Sequence, residues 1–272
     1  MKKIDPSENE LDPINLLKWY VSCGVDETTA NSPTNWFDLP KDNHTEQDVK
    51  KTLLPVTSPV PQTLLSSHKE NIEAAVEVAT KAANLEELRE AIISFEGCSL
   101  KNTASNTVFS DGNVDSDILL ISEAPGAEED QLGKPFVSSA GQLLDKMFGA
   151  INMTREQNFY IINLLPWRPP GNRKPTVAEC EVCLPFVKRH IELFKPKLII
   201  LIGGTSANSI MNVKTGITKL RGKWSKFKLD DQMIPMITIF HPSYLLRQPQ
   251  FKKLAWQDLL SIKEHLESQK SD

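Results

Sequence analysis

Four short apolar runs mark the second half of the chain: Asp117–Ser122 (with Ile118, Leu119, Leu120 and Ile121), Phe159–Leu165, Leu198–Gly203 and Met236–Phe240. Each is continuously apolar rather than alternating, as expected of strands covered on both faces. The segments between them are long enough for the crossover helices that parallel neighbours require. The pattern predicts a three-layer α/β/α fold around a central parallel sheet of about four strands. Upstream the period becomes helical. Asn71–Phe95 is alanine-rich and free of Gly and Pro, and it predicts two helices, with Asn84 capping the second and Leu85, Leu88, Ile92 and Ile93 on its apolar side. Residues 11–22 place Leu11, Ile14, Leu16, Leu17, Trp19, Tyr20 and Val21 at helical spacing, which predicts a short helix. Between them, Asn31–Ser67 carries Pro33, Pro40, Pro55, Pro59 and Pro61 among Ser, Thr and Asp, without a sustained period, as in a linker. The chain therefore divides into a helical or disordered N-terminal extension, residues 1–70, and a domain over residues 71–272 whose core spans about 90–266.

Composition narrows the class. A chain of 272 residues, 40% hydrophobic and 24% charged, has material for one full core and an appendage. No apolar run approaches the roughly 20 residues that span a bilayer. The start, Met1-Lys2-Lys3-Ile4-Asp5-Pro6, is too acidic and too interrupted for a signal peptide, so no membrane and a cytoplasmic location are expected. Cys23, Cys98, Cys180 and Cys183 are too few and too unevenly placed for a disulfide framework, leaving reduced thiols as the default. The net charge of -4 conceals a division: residues 1–130 carry -14, residues 131–265 carry +11 and the last seven carry -1. A basic half suits a polyanion, because Lys and Arg neutralise phosphates; a charge-balanced pair of domains explains it equally.

In open α/β sheets ligands bind beyond the carboxyl ends of the strands. The residues there are Glu123-Ala124-Pro125-Gly126, Asn163, Gly203-Gly204 and His241-Pro242-Ser243. The first belongs to a longer text, Ser122 to Asp130 followed by Gly133-Lys134-Pro135-Phe136-Val137, and the last continues as Tyr244-Leu245-Leu246-Arg247. Asn163 is followed by Trp167-Arg168-Pro169-Pro170-Gly171-Asn172-Arg173, and a further segment runs Ile217-Thr218-Lys219-Leu220-Arg221-Gly222-Lys223-Trp224. These four segments, in this order, resemble the uracil-DNA glycosylase superfamily and, within it, family 4. The resemblance covers about Cys98–Glu264 and leaves the first 70 residues outside. It implies an enzyme that hydrolyses the N-glycosidic bond of uracil in DNA, leaving an abasic site and initiating base excision repair. Uracil-containing DNA, single- or double-stranded, is the implied partner, and a monomer is expected.

The chemistry of that reaction asks for particular groups. Breaking a nucleoside bond leaves an oxocarbenium-like sugar and an anionic pyrimidine, so the site needs a donor for the leaving base, a group that orients water and a pocket that reads one base. A lone strand-end histidine is commonly structural, but in this motif His241 is the implied electrophilic catalyst, aiming an N–H at uracil O2. Asn163 offers a donor and an acceptor that match uracil O4 and N3–H and mismatch cytosine, although a strand-end Asn also forms turns. Phe136 provides a stacking face for a flipped base, or packs beneath its loop. Ala124, with Phe136 and Asn163, is placed in the uracil pocket; other families of the superfamily have a water-activating Asp at its position. Glu123 and Glu129 are then the catalytic carboxylates, either of which orients the water, while Glu128 and Asp130 fit a solvated helix start. Leu245 or Leu246 is the candidate wedge for the gap left by flipping, and Ser243, Arg247, Lys219, Arg221 and Lys223 are candidate DNA contacts. No Lys occupies a motif position for an imine, so water is the expected nucleophile. Departures from the motif at Ser122 and Ala124 keep an alternative open, a module that binds uracil or abasic sites with little turnover.

Family 4 resemblance also implies a four-iron cluster on four cysteines. Here Cys98 and Cys183 fill the second and fourth places, while Phe95 and Trp167 stand at the first and third, and neither Phe nor Trp ligates iron. Cys180 and Cys183 form C-x2-C, but Cys180 matches no ligand position. The expectation is no metal and no cofactor, with Phe95 and Trp167 filling the cluster's volume. A rearranged site using Cys98, Cys180, Cys183 and an outside ligand such as Cys23 is the other possibility.

Overall fold

The computed structural model describes residues 62–269. The helix expected at residues 11–22, most of the proline-rich linker and Cys23 lie outside the described residues.

The helical start departs from the sequence expectation. Helix α1 runs Gln62–Lys81, so it begins within the segment read as linker, and a domain boundary at residue 70 passes through it. Helix α2, Leu85–Ser94, starts where predicted: the Asn84 side chain accepts the Glu87 N–H at 2.9 Å. Then follow β1 (Ser110–Gly112), β2 (Ile118–Ser122), α3 (Ala127–Leu132), α4 (Ser139–Gly149), β3 (Tyr160–Asn163) and α5 (Val177–Phe194). The chain continues through β4 (Leu198–Ile202), α6 (Gly204–Met211), α7 (Ile217–Leu220), β5 (Trp224–Leu229), β6 (Gln232–Ile239), α8 (Pro242–Arg247) and α9 (Lys252–Gln269). A capping box between Thr176 and Glu179 begins α5.

The sheet has six strands in the order β1-β3-β2-β4-β6-β5. The four predicted strands form its parallel centre, with Ser122 beside Asn163 and Ile202 beside Ile239 at their carboxyl ends. Two antiparallel edge strands complete it. Both escaped the sequence reading: β1 is three residues long with no apolar side chain, and β5 mixes Trp224, Phe227 and Leu229 with Ser225, Lys226 and Lys228, while Pro235 hid the first half of β6. Side chains alternate between two cores. Leu119, Ile121, Ile162, Ile199 and Leu201 pack against α1, α2 and α5, with Leu88, Phe186 and Ile191 among the contacts. Leu120, Ile161, Ile200, Ile202 and Ile239 pack on the other face against α4, α8 and α9 through Leu144, Phe148, Leu245, Leu259 and Ile262. This is the α/β/α layering that continuously apolar strands require.

Candidate active site

The carboxyl ends of β2, β3, β4 and β6 open into a cleft of about 950 Å³. Its walls include Glu123, Ala124, Phe136, Asn163, His241, Ser243 and Arg247, so groups far apart in sequence meet where strand-end reasoning locates a ligand. Gly203 permits the close approach of β4 to β6: its φ is +93°, and a Cβ there would lie 3.3 Å from the His241 Cβ.

His241 is the N-cap of α8. Its Nδ1 accepts the Ser243 backbone N–H at 3.1 Å and lies 2.7 Å from the Ser243 hydroxyl. An amide can only donate, so Nδ1 is unprotonated and the proton of the neutral ring sits on Nε2. Burial, reinforced by the Arg247 cation and opposed by Glu129, brings the imidazole pKa down to about 4. The ring is therefore a neutral N–H donor at physiological pH. The Phe136 ring stacks beside it, with centroids 5.6 Å apart and planes at 27°.

Asn163 ends β3 and is buried, and no described residue hydrogen-bonds its carboxamide. Its polar atoms remain accessible from the cleft, so a ligand entering there can pair with them. Its neighbour in register, Ser122, holds on the same wall a buried hydroxyl that has no hydrogen-bond partner among the described residues.

The two acidic candidates differ. Glu123 lines the cleft half-buried. Glu129 instead turns its Oε1 to the Val137 and Ser138 amides, at 3.1 and 3.0 Å. Burial works against its charge, but hydrogen bonds from Ser138 and Val137 win and hold its pKa below the usual carboxylate value. Glu129, a catalytic candidate of the sequence reading, also lines the cleft, and its Oε1 supports the Phe136 loop. Glu128 is exposed, as expected, whereas Asp130 is buried and accepts the Ser105 and Asn106 amides at 2.9 and 3.1 Å, pinning a distant loop rather than meeting solvent.

The candidate DNA contacts also separate. Leu246 is exposed at the cleft rim helix α8, whereas Leu245 is 1% exposed within the core, so only Leu246 is available as a wedge. Arg247, Lys219 and Lys223 are exposed. Arg221 is not: its guanidinium forms an ion pair with buried Asp258, donates to the Leu254 carbonyl at 3.1 Å and lies 5.8 Å over the Phe240 ring. It ties the segment after α7 to α9. The Ser243 hydroxyl is likewise engaged by His241. The cleft adds residues not singled out as contacts, namely Asn172, Arg173 and Lys174 on one side and Thr205, Asn208 and Thr215 on the other. The glycine pair at the end of β4 was the available signal for Thr205 and Asn208, because it marks the start of α6, which carries them; Thr215 lies beyond that helix.

Comparison with known proteins places these features in a family. The family model for the "Uracil DNA glycosylase superfamily" matches residues 109–260. The type-4 uracil-DNA glycosylase of Archaeoglobus fulgidus is 35% identical over 185 residues, covering 66% of this chain and 92% of that protein. That of Sulfurisphaera tokodaii is 34% identical, covering 66% of this chain and 84% of its own length. That of Thermotoga maritima is 33% identical over 193 residues, covering 70% of this chain and 98% of the relative. The chain belongs to the uracil-DNA glycosylase superfamily, with the type-4 enzymes. The four-iron cluster expected of type-4 members does not fit the residues found here. Phe95 and Trp167 are 6% and 1% exposed and share one core with Cys98 and Cys183. The Phe95 ring packs edge-on to Phe186 at 5.1 Å and covers Gly97, where a Cβ would meet it at 2.4 Å. The Trp167 indole donates to the Thr107 hydroxyl at 3.0 Å. The interaction of the neighbouring Cys98 and Cys183 thiols lowers the pKa of Cys98 and raises that of Cys183. Burial pushes Cys180 up to about 11. Among the described residues no group of three or more His, Cys, Asp or Glu is arranged to hold a metal ion.

Proposed function

We propose that this member of the family hydrolyses the N-glycosidic bond of uracil in DNA, releasing free uracil, leaving an abasic site and initiating base excision repair. The observation that carries the reading is the convergence of a neutral imidazole donor at His241, a carboxamide at Asn163 that no described residue pairs and an aromatic wall at Phe136 in one cleft. The names of the type-4 relatives support the same substrate.

In this mechanism the uracil is flipped into the cleft and lies against Phe136, while Asn163 pairs with O4 and N3–H. As the bond from C1′ to N1 breaks, its electron pair moves onto the base, and the His241 Nε2–H stabilises the charge at O2. A water oriented by Glu123 adds to C1′ and gives its proton to solvent or to the departing base. A neutral donor suits this step, because an imidazolium would be costly to bury in the substrate-free site beside the Arg247 cation, whereas the neutral Nε2–H still donates to the charge that develops on O2. Leu246 fills the vacated stack, and Arg247, Lys219 and Lys223 bind phosphates. We also infer that the enzyme works without the iron cluster, as a monomer in the cytoplasm, with Phe95 and Trp167 supplying by packing what the cluster would supply by ligation. The test is one turnover on an oligonucleotide containing a single uracil. Release of free uracil with an alkali-labile abasic site supports the reading, and tight binding without release would replace it with a uracil-binding module.

A further inference from the structure

From the contacts around the Phe136 loop we infer that Arg155 is a positioning residue for the uracil platform, fixing the Phe136 ring by holding its backbone in a left-handed conformation. The inference rests on the assignment of Phe136 as the stacking face. Phe136 has φ of +54°, a region that a residue with a side chain adopts only when its surroundings impose it. Here they do so from two sides of one peptide unit. The Phe136 carbonyl accepts from Arg155 Nη2 at 3.0 Å, and the N–H of the same peptide, on Val137, donates to Glu129 Oε1 at 3.1 Å. The plane of the Phe136–Val137 peptide is thus held between a guanidinium and a carboxylate. Arg155 Nη1 also donates to the Pro135 carbonyl at 3.1 Å, so both carbonyls flanking the Phe136 Cα are held by one rigid fork.

The fork is itself fixed. Arg155 is 12% exposed, and it pairs with Asp111 on β1 at 2.7 Å and with Asp145 on α4 at 2.9 Å. A lysine has three donors on a single atom and cannot reproduce two parallel bonds to adjacent carbonyls while also meeting two carboxylates. Helix α4 closes the other side: a Cβ on Gly141 would lie 1.9 Å from the Phe136 oxygen, so glycine is required there. Neither Arg155 nor Gly141 lines the cleft, and both act through the backbone that aims the ring toward His241.

A stacking face contributes binding to substrate and transition state alike, so loosening it raises KM and Ki more than it lowers kcat. Arg155→Met, which keeps the apolar stem and removes both carbonyl bonds, is expected to raise the inhibition constant of free uracil and KM by about tenfold, with a single-turnover rate at saturation within about threefold of the parent. Gly141→Ala displaces the same peptide from its other side and should raise Ki without touching Arg155. A purely structural arginine would lower the melting temperature and leave Ki unchanged in the folded protein, and that result overturns the inference. If Arg155→Met yields no soluble protein, Arg155→Lys decides in the same assay: a raised Ki supports the clamp and a parental Ki removes it. Phe136→Ala measured alongside separates the two possible failures. An unchanged Ki in that variant defeats the platform assignment itself, whereas a raised Ki there with parental values in both Arg155 variants defeats only the clamp.

Discussion

His241 shows how burial selects a protonation state before any substrate arrives. Its pKa of about 4 lies below the ordinary histidine value, so the sign follows from linkage: between about 6.5 and 4 the unfolded chain takes up a proton that the folded ring refuses. Stability therefore falls on acidification through that window, while the folded enzyme keeps its neutral donor. The single-turnover rate should show no loss centred near 6.5, and any acid limb due to His241 belongs near 4. A limb near 6.5 that disappears on replacing His241 would contradict the neutral-donor role. His241→Ala should lower uracil release by about 10²–10³ while DNA affinity stays close to the parent, because the lost bond belongs mainly to the transition state. Asn163 tests base reading. Asn163→Asp, carrying a protonated carboxyl in the buried site, presents a donor and an acceptor in the order cytosine needs. The expected outcome is weakened uracil selectivity and measurable cytosine release, and full uracil selectivity in this variant would remove Asn163 from recognition.

At the scale of elements, cations that look alike in the 217–223 segment do different work. Lys219 on α7 and Lys223 just after it are exposed, while Arg221 is committed to Asp258 on α9. Replacing Lys219, Lys223 or Arg247 by Ala should each reduce the salt slope of DNA affinity by about 1 if the residue meets a phosphate. Arg221→Ala should leave that slope alone and instead destabilise the fold by about 3–5 kcal/mol, because it leaves the Asp258 carboxylate buried and unpaired. Denaturant melts together with binding titrations over a range of salt distinguish the two classes. The same contrast governs α8, where adjacent leucines point to core and solvent. A rotation of about 100° per helical residue separates faces that a motif prints side by side.

For the whole molecule, the relation between the N-terminal region and the core gives a sharp expectation. Helix α1 packs on α5 and buries Ala75 and Ala79, so removing residues 1–61 should leave a folded, active domain, whereas a cut at residue 70 removes the first turns of that helix. Comparing the melting temperatures and activities of the two truncations checks this, and loss of soluble protein on deleting residues 1–61 would contradict it. Protein purified anaerobically should be colourless, iron-poor and active, and stoichiometric iron with sulfide would refute the apolar replacement. Trp167→Cys with Phe95→Cys would restore the four-cysteine pattern only after opening a core whose Trp and Phe packing is worth about 3–5 kcal/mol per ring. The parallel centre of the sheet, the strand-end positions of Glu123, Asn163 and His241, and the family itself were all legible in the sequence. Continuous apolarity reports two-sided burial, and strand ends are where such sheets open. The edge strands were not legible, because β1 has no apolar side chain and β5 places only Phe227 and Leu229 against the core. Nor were the separation of Leu245 from Leu246, the diversion of Glu129 to backbone amides, the pairing of Arg221 with Asp258 or the hold of Arg155 on Phe136. Each of these depends on which group lies across a gap in space, and residue order carries no record of that until the layers are packed.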